Sequence, residues 1–170
     1  RKNGVNDTLG LEYDNVGSEI RDVLATTVYL NGSTDYVDFA VFCNGSSGII
    51  RSQVNFSASL IGSGIVGNST DAGARVMIAA MSANQSVTPG SSIVTNFNTI
   101  VQDTTGDFDT STHRFTPSVA GFYSVTISGK VDGDSNSYNG GNWELYKNGS
   151  LYTYGGDRID ATSVISSFPS

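Results

Sequence analysis

Three observations predict an all-β chain, a two-sheet antiparallel jelly-roll sandwich. Apolar and polar side chains alternate with a period of two, turn signals crowd between the alternating runs, and helix formers are scarce. The chain has 170 residues, enough for one domain with a real core. Hydrophobic residues make up 38% and charged residues only 15%; much of the remainder is Gly, Ser, Thr and Asn. That mixture suits short strands joined by turns and is unlike a disordered chain, which carries more charge and fewer aromatic residues.

The predicted strands follow in chain order. The first is Thr26–Leu30. Tyr36–Cys43 comes next, with Val37, Phe39, Val41 and Cys43 on one face and Tyr36, Asp38, Ala40 and Phe42 on the other. Val54–Ile61, Arg75–Ser82 and Ser92–Phe97 are further candidates. Ala74–Met81 has a brief helical moment, but its β-branched residues and the flanking Gly73 favour a strand. Phe122–Val131 is the clearest strand. It puts Tyr123, Val125, Ile127 and Val131 on an apolar face and Ser124, Thr126, Ser128 and Lys130 on a polar one. Asn142–Lys147 and Ala161–Ser167 complete the set. The turns between them include Asn31-Gly32-Ser33, Asn44-Gly45-Ser46, Pro89-Gly90, Thr105-Gly106-Asp107, Asn139-Gly140-Gly141, Asn148-Gly149 and Gly155-Gly156. The tripeptide Lys147-Asn148-Gly149 also occurs near the start as Lys2-Asn3-Gly4.

Composition excludes several functions. The formal net charge is −7 and Lys and Arg are scattered singly, whereas nucleic-acid binding needs clustered cations against phosphate. No apolar run approaches the length of a membrane-spanning helix. Cys43 is the only cysteine, so no disulfide forms within the chain, and its place in an apolar row reads as a buried thiol. The chain opens at Arg1 without a Met or a signal peptide and reads as a piece of a longer precursor.

Three motifs resemble the superfamily of complement component one-q globular heads and tumour necrosis factor. Arg114-Phe115-Thr116-Pro117-Ser118-Val119-Ala120-Gly121-Phe122-Tyr123 is similar to its signature of Phe, Pro, Gly and an aromatic opening a core strand. Asp107-Phe108-Asp109-Thr110 resembles its aromatic-Asp segment, and Trp143–Gly149 its strand ending in Lys-Asn-Gly. Ala74–Ala83 is similar to the domain's first strand. The domain's last third resembles the beginning of this chain. Val28–Val37 is similar to the family's Leu-x-x-Gly-Asp-x-Val strand pair, with Ser33-Thr34 inserted between Gly and Asp, and Phe56–Ile61 to its terminal strand. Residues 1–62 are therefore expected to be the back portion of a jelly-roll domain, 63–73 a linker, and 74–170 a front portion. Two explanations stand: a permuted subunit joined through the linker, or a window cut across tandem domains. Neither portion closes a sandwich alone, so their sheet edges must pair within the chain or with a neighbour.

What the resemblance implies is assembly, commonly as trimers around an apolar axis. The expected function is a self-assembling structural subunit of an extracellular fibre, such as a microbial surface filament or a phage appendage. The expected partners are copies of the chain, through trimer packing or through strand exchange by residues 1–25 or 146–170. The alternative is a trimeric head that binds a receptor or glycan without forming filaments.

No catalytic, cofactor or metal residue is assigned. His113 is the only histidine and no Gly-x-Ser-x-Gly motif accompanies it, so an enzyme is not expected. Calcium is the metal to weigh. Asp132-Gly133-Asp134-Ser135-Asn136 alternates oxygen ligands, but Ser137 stands where a helix–loop–helix calcium loop needs Gly, and Trp143 where it needs Glu. Asp103, Asp107 and Asp109 form a looser acidic set. Asn-x-Ser/Thr patterns at Asn6, Asn31, Asn44, Asn55, Asn68, Asn84 and Asn148 are compatible with an extracellular location. Tyr138, Trp143, Tyr146, Tyr152 and Tyr154 read either as sheet packing or as an interface or carbohydrate-contact patch.

Overall fold

The structure, a computed structural model, describes residues 19–43, 47–63, 74–133 and 141–155. The described residues form thirteen strands and no helix. In chain order they are β1 (Glu19–Asn31), β2 (Val37–Cys43), β3 (Gly48–Ile50), β4 (Asn55–Ser63), β5 (Val76–Ala80), β6 (Gln85–Val87) and β7 (Ser92–Val94). There follow β8 (Thr99–Asp103), β9 (Phe108–Asp109), β10 (Arg114–Phe115), β11 (Ala120–Gly133), β12 (Gly141–Lys147) and β13 (Ser150–Gly155).

Two antiparallel sheets face each other as a jelly-roll-like sandwich. The first runs β6-β3-β11-β4-β5-β8, with β1 on the other side of β11. The second runs β13-β12-β2-β10-β9, with β7 also on β2. β11 organises the first sheet. Its whole length pairs with β1, from Glu19 opposite Asp132 to Asn31 opposite Ala120. Its other edge pairs with β4 and then β3. This long partner explains why β1 begins at Glu19, well before the alternation at Thr26 announces a strand.

Both sheets mix strands from the two halves of the chain. β1 and β4 from the first half flank β11 from the second. β2 from the first half pairs with β12, β10 and β7 from the second. The two portions thus close one sandwich within a single chain. β4 and β5 pair antiparallel on either side of the expected linker, whose first residue, Ser63, already belongs to β4. The rest of the linker and the candidate strand Ala161–Ser167 lie outside the described residues.

The predicted core row is buried: Tyr123, Val125, Ile127 and Val131 face Val37, Phe39, Val41 and Cys43 in one cluster. At its centre Phe56 on β4 meets Phe39 edge-on at 4.9 Å and packs against Phe97, Phe108 and Phe115. The edge-to-face contacts with Phe39, Phe108 and Phe115 cross from one sheet to the other and join them. Trp143 is also core, not part of an exposed aromatic patch. The other face of β2 departs from a simple in–out pattern, because Asp38 and Ala40 are buried as well. β2 has strands on both edges, and neighbouring side chains such as that of Arg114 cover this face.

One end of the sandwich is fastened by the segments that carry the family resemblance. After β1, Asn31 Oδ1 accepts the backbone N–H groups of Ser33, Thr34 and Asp35. Asp35 then accepts hydrogen bonds from Asn148 Nδ2 at 2.8 Å and from the Asn31 N–H, and pairs with Lys147 Nζ at 3.0 Å. Asn148 Oδ1 accepts the Tyr36 N–H. The Asn148 side-chain bond, with Lys147 beside it, holds the Asp35 carboxyl below its ordinary range. Gly32 has φ +74°, and a Cβ there would lie 2.2 Å from the Ala120 backbone nitrogen. Only glycine fits that approach.

Candidate association face

The face of the first sheet that points away from the core is the most distinctive surface. The pleat sends alternate side chains outward. β1 presents Val23, Ala25, Thr27 and Tyr29; β11 presents Phe122, Ser124, Thr126 and Ser128; β4 presents Asn55, Ser57, Ser59 and Ile61; β5 presents Val76, Ile78 and Ala80. Register aligns these into rows across the sheet. Tyr29 lies opposite Phe122, Thr27-Ser124-Ser59-Val76 form the next row, and Ala25-Thr126-Ser57-Ile78 the one after. Tyr29 and Phe122 meet edge-on at 5.3 Å.

None of these outward positions is charged, in a chain with 9 Lys and Arg and 16 Asp and Glu. Charge returns at the end of the lattice, where Lys130 stands opposite Arg21. Four strands about 4.8 Å apart, each contributing about 20 Å of length, make an area of about 400 Å². Val23, Tyr29, Ile61 and Phe122 are exposed on it. Small Ser, Thr and Ala side chains lie between them. A surface of this size without ionic groups can be covered without stripping water from a charge.

The outer face of the second sheet has the opposite chemistry. Asp38 lies 3.3 Å from Arg114 Nε, and the Arg114 guanidinium sits over the Tyr36 ring at 4.1 Å. Burial pushes the Asp38 carboxyl up, with Arg114 pulling the other way. Glu144 accepts hydrogen bonds from Tyr146 Oη at 3.0 Å and Asn142 Nδ2 at 3.3 Å. Tyr152 and Tyr154 are exposed, and the Tyr152 hydroxyl donates to the Thr27 carbonyl on β1. Tyr138 lies outside the described residues.

The remaining sequence candidates fall into turns. His113 has φ +60° and its Nδ1 lies 2.9 Å from the Phe97 carbonyl, a contact that ties the β9–β10 hairpin to the preceding loop. Asp103 accepts the N–H groups of Thr105, Gly106 and Phe108. Asp107 takes the Thr105 hydroxyl and the Ser118 N–H. Asp109 takes the Ser111 hydroxyl and N–H and the Thr112 hydroxyl, which hold its carboxyl at about 2. Asp103 and Asp109 cap their own turns, and Asp107 also ties its turn to Ser118. In the other acidic set, Asp132 is paired with Arg51 and Lys130, so two cations stand where calcium would need open oxygens. Asp134, Ser135 and Asn136 lie outside the described residues. Among the described residues no group of three or more His, Cys, Asp or Glu side chains is placed to hold a metal ion.

Of the Asn-x-Ser/Thr positions, Asn31 and Asn148 use their side-chain amides in the Asp35 corner. Asn55 donates to the Gln53 carbonyl and Asn84 accepts the Ser52 N–H. Asn6, Asn44 and Asn68 lie outside the described residues. Cys43 is buried, as its place in the apolar row predicts. By alternation alone the polar face of Phe122–Val131 is ordinary solvated surface. The signal that sets it apart is that it holds Ser and Thr and no charge until Lys130. Compared with known proteins, the chain matches no family model, no curated protein and no solved structure.

Proposed function

We propose that this chain is a self-assembling structural subunit of an extracellular fibre, packing against copies of itself through the outer face of the first sheet. One observation carries the reading: an uncharged lattice on β1, β11, β4 and β5 in an otherwise acidic protein. The resemblance to the complement one-q and tumour necrosis factor superfamily supports the same arrangement, three copies around an apolar axis. In that face β5, β4, β11 and β1 lie side by side. A stable contact buries about 800 Å² per partner, more than the lattice alone, so neighbouring rims join it. Neither His113 nor any carboxylate has a catalytic role in this reading.

The test is the mass of the purified chain by light scattering and sedimentation, with electron microscopy for filaments. Thr126 is a central outward position, flanked by Ala25 and Ser57. Thr126→Glu puts a charge in the contact, which costs several kcal/mol when desolvated. The parent should be an oligomer and the variant a folded monomer. A monomeric parent, or an unchanged variant oligomer, would refute this face. Strand exchange is tested separately by deleting residues 1–18. The deletion must stop there, because β1 starts at Glu19.

A further inference from the structure

A second surface, at the charged end of the association face beyond Ser128 and Asn55, has the makings of a small-molecule site. A pocket of about 380 Å³ opens where the chain bends between β3 and β4, lined by Arg51, Ser52, Gln53, Asn84, Lys130 and Asp132. That volume lies in the range of small-ligand sites. All six residues are polar, so the pocket suits a hydroxylated ligand rather than an apolar one.

The charges are layered. The Asp132 side chain is only 13% exposed and sits beneath; Arg51 is 40% exposed and lies over it. Arg51 Nε and Nη2 both reach Asp132 Oδ2, and Lys130 Nζ is 3.1 Å from Asp132 Oδ1. The carboxylate therefore holds the guanidinium through its Nε–Nη2 edge. Backbone bonds hold the bend itself: the Arg51 N–H donates to the Lys130 carbonyl, and the Ser52 N–H to Asn84 Oδ1. Asn84 and Gln53 bring two side-chain amides to the lining of the same pocket.

We propose that this pocket binds an acidic monosaccharide, a sugar bearing a carboxylate. The carboxylate would lie on Arg51, the geometry guanidinium recognises best. The hydroxyls would bond the amides of Gln53 and Asn84. A uronate and a sialate share this chemistry and are the two probes to compare. The site gives a fibre subunit something to hold at each repeat, and it stands whether or not the fibre reading does.

The experiment is a titration of the full-length chain with glucuronate, N-acetylneuraminate, glucose and inorganic sulfate, followed by amide chemical shifts. Gln53→Glu introduces a repelling charge on the rim without touching the Arg51–Asp132 pair, so the fold is kept. Saturable shifts at residues 51–53, 84 and 130 with either acidic sugar, weakened at least tenfold in Gln53→Glu, are expected. Equal response to glucose would show that the carboxylate is not read. Equal response to sulfate would show an adventitious ion site only. Either result, or no saturable shift with both acidic sugars, overturns the proposal.

Discussion

Gly129 and Val54 test whether the two halves of the chain pack against each other as described. Gly129 lies in the inward row of β11, between Ile127 and Val131. A Cβ at this position would lie 2.2 Å from Val54 Cγ2 and 2.8 Å from Val54 Cβ. Ordinary carbon–carbon contacts are about 3.5–4.0 Å, so a methyl group there must displace Val54 by more than about 1 Å. Val54 is fully buried and cannot swing into solvent. Gly129→Ala should therefore destabilise by about 1–3 kcal/mol, the usual cost of overpacking. Val54→Ala alone removes two methyl groups and leaves a cavity, costing about 1.5–3 kcal/mol. In the double variant the methyl added at position 129 occupies the space that the valine side chain gave up. The pair should be less unstable than the sum of the singles by about 1–2 kcal/mol. Urea unfolding reads this through the single, buried Trp143, at one protein concentration so that any assembly contributes equally. Additivity within about 0.5 kcal/mol would refute the contact. It would place Val54 from the first half and Gly129 from the second apart, and with them the closure of the sandwich.

Two further outcomes follow from the same core. Ile127→Ala should cost about 2–5 kcal/mol in urea unfolding, because Ile127 is fully buried in the row facing the second sheet; a loss below about 0.5 kcal/mol would put it on the surface. The Tyr123 hydroxyl, which donates to the Val119 carbonyl at 2.8 Å, is pushed up to about 12 by burial and by the nearby Asp107 charge. A raised folded value means the fold favours the neutral phenol. Its contribution to stability is complete below an unfolded value near 10 and is lost as pH rises through about 12. Tyr123→Phe should be less sensitive to alkaline unfolding over that window, and identical alkaline profiles would contradict the assignment.

The core was legible in the sequence because burial on one face of a strand imposes alternation. Val37, Phe39 and Val41, and Tyr123, Val125 and Ile127, were readable on that ground alone. The short strands were not. β3, β6, β9 and β10 are two or three residues long, too short to show a period; β3 and β10 take the edges of the longer β11 and β2, and β6 and β9 then pair with them. β13 is hidden for another reason. Its alternation is weak, and what fixes it is the Asn148-Gly149 turn, with φ +53° and +76°, folding it back onto β12. The buried Asp38 was likewise unreadable. Its depth depends on Arg114, which is distant in sequence and arrives only when β10 pairs with β2.

The candidate surfaces were harder still to read, since a face is defined by register, and register is a property of pairs. Ser124 and Thr126 look like solvated positions in their own strand. Only when β1, β4 and β5 are laid beside β11 does the absence of charge become a two-dimensional pattern. The second sheet shows that this is not a mere consequence of a charge-poor chain. Its outer face holds Asp38, Arg114 and Glu144 within the same alternating rule. Two sheets of one sandwich therefore differ in what they can meet. Covering the second would desolvate the partly exposed Arg114 guanidinium, whereas covering the first removes methyls, hydroxyls, the Asn55 amide and two aromatic rings from water. If copies of this chain pack sheet to sheet, the energetic asymmetry directs them to the first face. The second face then stays outward, where Arg114 and Tyr154 remain in reach of solvent above the buried Asp38 and Glu144.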